Sequence, residues 1–141
     1  MTFDKSARIS AHLEASPERV WSALTSPEEL TAWYWPASLS PQATSDPTVG
    51  GHFGITTASK DMGFAGEYLE LEPPRRIVQS WRWAGEDRAS RVTIELTPAG
   101  DGTDLVVTHA ELDPATAEMY RAGWQSCLDR LPAHLTQDPI R

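Results

Sequence analysis

The sequence predicts one α+β domain in which a curved antiparallel sheet wraps around a long C-terminal helix, with two short helices after the first strand. Three observations lead to this prediction. Strand-like segments separated by short turns follow one another from residue 52 to residue 110, the last thirty residues carry apolar side chains at helical spacing, and two Ser-Pro pairs follow the first alternating segment. A length of 141 residues suits a single domain, taken as 1–141 with its core at about 8–135.

The first strand is predicted from Arg8 to Glu14, where apolar and polar side chains alternate. Ile9, Ala11 and Leu13 share one face. We expect this strand at or near an edge of the sheet.

Two short helices are predicted from their start signals. Ser16 and Ser26 each have the residue type preferred at an N-cap, and each is followed by a proline at the first helical position. The second helix should end near Trp33. The segment from Ser38 to Gly51, rich in Pro, Ser, Thr and Asp, is predicted to be a long loop.

An antiparallel meander is predicted for the middle of the chain, because short connections with turn residues join consecutive strands. The predicted strands are His52–Thr57, Phe64–Leu71, Ile77–Trp83, Arg91–Thr97 and Asp104–Ala110.

The last helix is predicted to begin at Asp113-Pro114, again an N-cap followed by proline. Pro132 should kink or end it. Its apolar positions recur at steps of three and four: Ala117, Tyr120, Trp124, Cys127, Leu128, Leu131 and Leu135. A twisted sheet cannot follow a straight helix along its whole length, so we expect a cavity between the two.

Composition excludes several classes of partner. The formal net charge is −8 at pH 7 and no basic patch interrupts it, which disfavours nucleic acid and anionic membrane surfaces. No apolar run is long enough for a membrane span, and the N-terminal residues lack a signal-peptide pattern, so a cytoplasmic location is expected.

No cofactor, metal site or catalytic constellation is predicted. The four histidines lack ligand spacing, and a single cysteine cannot build a Cys-rich metal site. No glycine-rich loop opens a helix, so nucleotide cofactors have no support. Cys127 falls within the apolar stripe and is expected to be a buried, unreactive thiol.

Several motifs in order resemble the START-like (SRPBCC) superfamily with the helix-grip fold, and within it the group named after the activator of the Hsp90 ATPase. The resemblance runs from about residue 8 to residue 135. The motifs that carry it are Ala15 to Thr25, Leu30 to Trp33, Gly50 to Phe53, Gly66 to Val78 leading to Trp81, Gly102-Thr103 leading to Thr108-His109, and Gly123-Trp124 with Cys127-Leu128. It implies a hydrophobic cavity between sheet and C-terminal helix, which relatives use for lipids, hormones, polyketides or other apolar molecules.

Candidate cavity residues follow from the predicted elements. Six tryptophans are unusually many for 141 residues, and five of them, Trp83 included, fall on elements expected around the cavity. A few polar groups are expected to face the same interior, and Gln79 and His109 are the groups expected to orient a ligand. The candidates are Trp33, Trp35, Phe53, Tyr68, Gln79, Trp81, His109, Tyr120 and Trp124.

The leading hypothesis is a non-enzymatic binder of a small hydrophobic or amphipathic molecule. A cyclase- or aromatase-like enzyme that uses the polar groups of the pocket is the second hypothesis, and a protein-interaction module of the co-chaperone type is the third. A homodimer is also compatible with the sequence, because an exposed edge strand needs protection.

Overall fold

A computed structural model describes residues 4–60 and 62–136. Within them, seven strands form one antiparallel sheet in the order β1-β7-β6-β5-β4-β3-β2. The elements, in chain order, are β1 (Lys5–Leu13), α1 (Pro17–Thr25), α2 (Pro27–Trp33), a 3-10 turn (Ala37–Leu39), β2 (Gln42–Ser45), β3 (His52–Thr56), β4 (Gly63–Glu72), β5 (Arg76–Trp83), β6 (Ser90–Ala99), β7 (Gly102–Leu112) and α3 (Pro114–Leu135).

This architecture confirms the predicted α+β class, the edge position of the first strand and the three helix starts. The hydroxyl of Ser16 accepts from the backbone N–H of Arg19, that of Ser26 from Glu29, and the carboxylate of Asp113 from Thr116. Each cap satisfies a backbone donor that has no partner within its own helix. The chain therefore enters all three helices at the residues where the sequence places the start.

The predicted loop from Ser38 to Gly51 contains a strand that the sequence analysis missed. β2 pairs with β3, and the N–H of Ala43 donates to the Thr31 hydroxyl at the start of the strand. Four residues of mostly polar character provide no periodicity to detect. The strand forms because β3 and α2 supply its hydrogen-bond partners.

Pro132 does not end the last helix, which continues to Leu135. A proline inside a helix costs one backbone hydrogen bond, and that cost can be offset by packing on both sides of it. Leu131 and Leu135 are buried, and the buried His134 ring is hydrogen-bonded to Glu29. Tertiary contacts therefore hold the last turn in place.

The core lies between the concave face of the sheet and the helices. Against the sheet, α3 packs mainly on β1 and β7, and it also contacts α1 and α2. The backbone of α3 does not pack closely on β4 and β5, and the helix reaches β5 through the Tyr120 ring, which contacts Trp81, so a space remains between α3 and these two strands. None of the helices in residues 4–60 and 62–136 is both long and apolar enough to cross a membrane.

Candidate functional site: an aromatic chamber under the last helix

The space between α3 and strands β4 and β5 is a cavity of about 370 Å³, which we call the aromatic chamber. Its volume is in the range of small-molecule sites. Its lining is mostly aromatic and sulfur-containing: Tyr34, Trp35, Met62, Phe64, Trp81, Trp83, Glu86, Met119, Tyr120, Gly123, Trp124 and Cys127. Met119 is 61% exposed, so the chamber has an edge at the protein surface.

The sheet wall of the chamber consists of rings from neighbouring strands. Phe64 of β4 lies opposite Trp83 of β5 in the strand register, and Trp81 precedes Trp83 by two residues on the same face. The three rings are nearly parallel, with interplanar angles of 19° to 26° and centroids 4.5 to 6.4 Å apart. Strand pairing thus turns separate aromatic positions into one continuous apolar surface.

The end of α2 supplies a second wall. Trp35 meets Phe64 and Trp83 at steep angles, 83° and 65°. Trp33, two residues earlier, is 2% exposed and its indole N–H donates to the carbonyl of Ala23 at 2.8 Å. The run Trp33-Tyr34-Trp35 therefore places one indole in the core and the next on the chamber.

The roof is one face of α3. Met119, Tyr120, Gly123, Trp124 and Cys127 recur at helical spacing and all line the chamber. A Cβ added to Gly123 would meet no atom within 4 Å, so the absence of a side chain there keeps the roof open.

A hydrogen-bond chain holds the roof to the sheet behind the chamber. The indole N–H of Trp124 can only donate, and it donates to Nδ1 of His109 at 3.1 Å. The His109 proton therefore resides on Nε2, which donates to the Ser90 hydroxyl at 2.6 Å, and Ser90 donates to the Trp81 carbonyl at 3.1 Å. Because Nε2 already carries a proton, His109 is not arranged to deprotonate Ser90.

His109 is fully buried, and burial lowers the pKa of its ring to about 4. The ring is stacked on Tyr120 with centroids 4.5 Å apart. At neutral pH the imidazole is therefore an uncharged spacer that positions two chamber rings, Tyr120 and Trp124.

Among the described residues that line the chamber, Glu86 is the only charged one. Burial raises the pKa of Tyr120 to about 12, and the nearby Glu86 carboxylate acts in the same direction. Burial also raises the pKa of the Cys127 thiol to about 11, although Arg130 opposes the shift. Both groups are neutral at pH 7, which leaves one negative charge on an otherwise uncharged lining.

The structure divides the nine candidate residues into two sets. Trp35, Trp81, Tyr120 and Trp124 line the chamber. The other five lie outside it: Trp33 is in the core, His109 is behind the wall, and Phe53, Tyr68 and Gln79 border a separate void of about 20 Å³.

That small void is large enough for about one water molecule, which could hydrogen-bond the buried Gln79 amide. The Tyr68 hydroxyl is already paired with Ser45 at 2.7 Å. Neither residue reaches the chamber.

Several lining residues are missing from the candidate set, and the sequence contains a signal for only some of them. Trp83 was grouped with the cavity tryptophans, and Phe64 follows from its register opposite Trp83. Tyr34 lies between two tryptophans that were expected near the cavity, so its position gave some indication that it lines the chamber. Met62 and Glu86 lie in connections between strands, and no pattern in the sequence assigns loop residues to a cavity.

A second depression, of about 510 Å³, runs along β2 to β5 outside the chamber. Its lining is mainly polar or small, and includes Thr44, His52, Thr56, Glu67 and Arg82. Among residues 4–60 and 62–136, no group of three or more His, Cys, Asp or Glu side chains is placed to hold a metal ion. The chamber is the concavity with the apolar lining expected of a small-molecule site.

Comparison with known proteins places the chain in a family. Residues 14–136 match the family model described as "Activator of Hsp90 ATPase homolog 1-like protein". The human "Activator of 90 kDa heat shock protein ATPase homolog 1" is 28% identical over 109 residues, which cover 72% of this chain and 31% of the human protein. The chain thus spans about a third of that relative.

Two crystal structures of bacterial proteins are similar over nearly the whole chain. Protein CV1439 from Chromobacterium violaceum is 33% identical with a TM-score of 0.81, covering 94% of this chain and 98% of its own. CalU16 from Micromonospora echinospora is 30% identical with a TM-score of 0.76, covering 94% and 77%. These matches confirm the helix-grip fold and the START-like resemblance inferred from the motifs. The chain belongs to the family of Activator of Hsp90 ATPase homolog 1-like proteins.

Proposed function

We propose that this protein binds a small apolar or amphipathic molecule in the aromatic chamber. The observation that carries the proposal is the lining itself: eleven of its twelve residues are uncharged, seven of them aromatic, around about 370 Å³. Burying an apolar ligand there yields about 25 cal/mol per Å² of surface removed from water.

The hydrogen-bond chain behind the wall also supports a binding role. Trp124 is held by His109, which is in turn held by Ser90. A preformed pocket loses little conformational entropy when a ligand enters. The cyclase-like alternative has less support, because the one histidine near the chamber is buried, neutral and fixed in its tautomer.

A fluorescence titration with N-phenyl-1-naphthylamine, a neutral probe that brightens in apolar surroundings, tests the proposal. We expect saturable binding with one site per chain. Gly123→Phe places a ring in the open roof and should weaken binding by about tenfold or more, since it occupies the volume that the probe needs.

Ala122→Phe is the matched control. It adds the same ring at the preceding position of α3, which is exposed and does not line the chamber, so the affinity for the probe should not change. Absence of saturable binding, or equal affinity in both variants, would exclude the chamber as the binding site.

Family membership favours a second candidate function, stimulation of an Hsp90-type ATPase. The motivating observation is the match to the human activator, although that match covers 31% of the human protein. Steady-state ATP turnover of a purified Hsp90-type chaperone should rise and saturate as this protein is added. Unchanged turnover at saturating protein would remove this candidate and leave the binding proposal intact.

A further inference from the structure

A side pocket of about 50 Å³ adjoins the aromatic chamber. Both cavities are lined by the same four residues, which we call the junction: Trp81, Trp83, Glu86 and Tyr120. A ligand whose body fills the chamber can therefore place one end against the junction.

The junction combines three aromatic rings with one carboxylate. Tyr120 stands at 83° to Trp81 with ring centroids 5.0 Å apart, and Trp83 is 5.9 Å from Trp81. Indole and phenol rings attract organic cations through their quadrupoles, with tryptophan the strongest. A carboxylate beside such rings adds direct charge attraction.

Glu86 is available for this role. It is exposed, and its carboxylate forms no ion pair with any residue in the described ranges 4–60 and 62–136. Its charge already acts on the Tyr120 hydroxyl. The negative potential therefore reaches the aromatic surface of the junction.

The side pocket is acidic on balance. It contains the carboxylates of Glu86, Glu111 and Asp113 against one guanidinium, that of Arg88. Glu111 is paired with Arg91 at 3.3 Å, and its backbone has a φ of 65°, a strained conformation for this residue type. This conformation falls at the register shift between β1 and β7.

The arginines near the chamber and its junction donate to backbone carbonyls, and Arg82 donates to the carbonyl of Glu86 at 3.4 Å. Arg130 approaches Cys127 at 3.7 Å, but it donates to the carbonyls of Trp33 and Tyr34, and its position in α3 is about 15 Å along the helix from Tyr120. Arg88 donates to the Glu111 carbonyl. No cationic side chain is among the twelve described lining residues, so within the chamber an anionic ligand meets no direct counter-charge.

We propose that the chamber is selective for organic ammonium compounds: an aromatic or aliphatic body in the chamber and a positively charged head between the rings of the junction and Glu86. This inference rests on the proposed binding function. It specifies the charge of the ligand, which the apolar lining alone does not.

Three naphthalene derivatives of matched size test the inference by displacing N-phenyl-1-naphthylamine from the protein. They are (2-naphthylmethyl)trimethylammonium, its neutral carbon isostere 2-neopentylnaphthalene, and the anion 2-naphthylacetate. We expect the ammonium to bind about fivefold or more tightly than the isostere at low ionic strength, and the anion to bind most weakly.

Glu86→Gln should weaken ammonium binding by about threefold or more and leave the isostere unchanged, because only the cation senses the lost charge. Glu70→Gln is the control, an exposed carboxylate on β4 outside both cavities that changes the net charge equally. If the isostere binds as tightly as the ammonium, or if the two variants behave alike, the ammonium inference is overturned while the binding proposal stands. If the naphthylamine probe itself fails to bind, both are overturned.

Discussion

The two halves of α3 have opposite roles. Every buried residue of the helix lies from Trp124 onward: Trp124, Cys127, Leu128, Leu131, His134 and Leu135. From Pro114 to Gly123 no side chain is buried, and this half covers the chamber together with Trp124 and Cys127 at the start of the buried half. A single helix thus closes the core at one end and leaves a hollow at the other.

Polar contacts fix the closed half to α1 and α2. The buried Glu29 carboxylate accepts from Arg19 and from His134, the latter at 2.8 Å. Arg130 donates to the carbonyls of Trp33 and Tyr34 at the end of α2. The space under the open half of α3, Pro114 to Gly123, can therefore remain unfilled, because contacts of the closed half hold the helix in position.

The largest effect is expected from breaking the closed half at Glu29. Glu29→Ala leaves Arg19 and His134 buried without their shared acceptor, and should lower the free energy of unfolding by about 3–5 kcal/mol. Glu28→Ala, an exposed neighbour in the same helix, should cost about 0.5 kcal/mol. Urea denaturation measures both, and similar losses would contradict a structural role for the buried cluster.

A pH dependence is expected from His109 of β7, whose ring stacks on Tyr120 in the open half of α3. Between pH 6.5 and about 4 the unfolded chain binds a proton on this histidine that the folded chain does not. The free energy of unfolding should therefore decrease as the pH is lowered from 6.5 to about 4, by on the order of 3 kcal/mol in total. This contribution should level off below pH 4.

His109→Gln removes the titrating group and keeps an amide that can both accept and donate. The difference in unfolding free energy between wild type and variant should shrink as the pH falls from 7 to 4. Parallel stability curves over this range would show that the burial of His109 does not govern its protonation.

Arg130→Met is expected to have an intermediate effect on the closed half. The side chain keeps an apolar stem but leaves two carbonyls of α2 without their donor, which should cost about 1–2 kcal/mol. Arg121→Met in the open half removes an exposed ion pair with Glu118 and an exposed hydrogen bond to the Arg8 carbonyl, and should cost under about 1 kcal/mol. Thermal unfolding of the two variants checks the order.

The smallest expected effect is a gain. Gly123→Ala adds a methyl group where no atom lies within 4 Å, in a helix that glycine weakens, and should stabilise the protein by about 0.5–1 kcal/mol. Gly66→Ala is the opposite case, because its Cβ would lie 1.9 Å from the Ser80 carbonyl oxygen. Urea unfolding measures both variants: a loss of stability at Gly123 would contradict the open roof, and a gain at Gly66 would contradict the close approach of Ser80.

Local signals in the sequence account for much of the fold. Ser16, Ser26 and Asp113 start the three helices because an N-cap acts on backbone groups only three residues away. Alternation located β1, and turn residues in short connections located the meander, because both patterns also depend on residues close together in the sequence. β2 and the helical turns around Pro132 escaped prediction, since each depends on partners distant in sequence.

The sequence by itself determined the class, the order of elements and the presence of a tryptophan-rich interior, because these depend on spacing along the chain. Only the tertiary structure decided which rings line a space and which fill one. Trp33 and Trp35 are two residues apart, yet one is in the core and the other lines the chamber. The direction in which α3 crosses the sheet decides which of the two rings faces the space. That direction depends on the contacts of Glu29 with His134 and of Arg130 with Tyr34, residues about a hundred positions apart in the sequence.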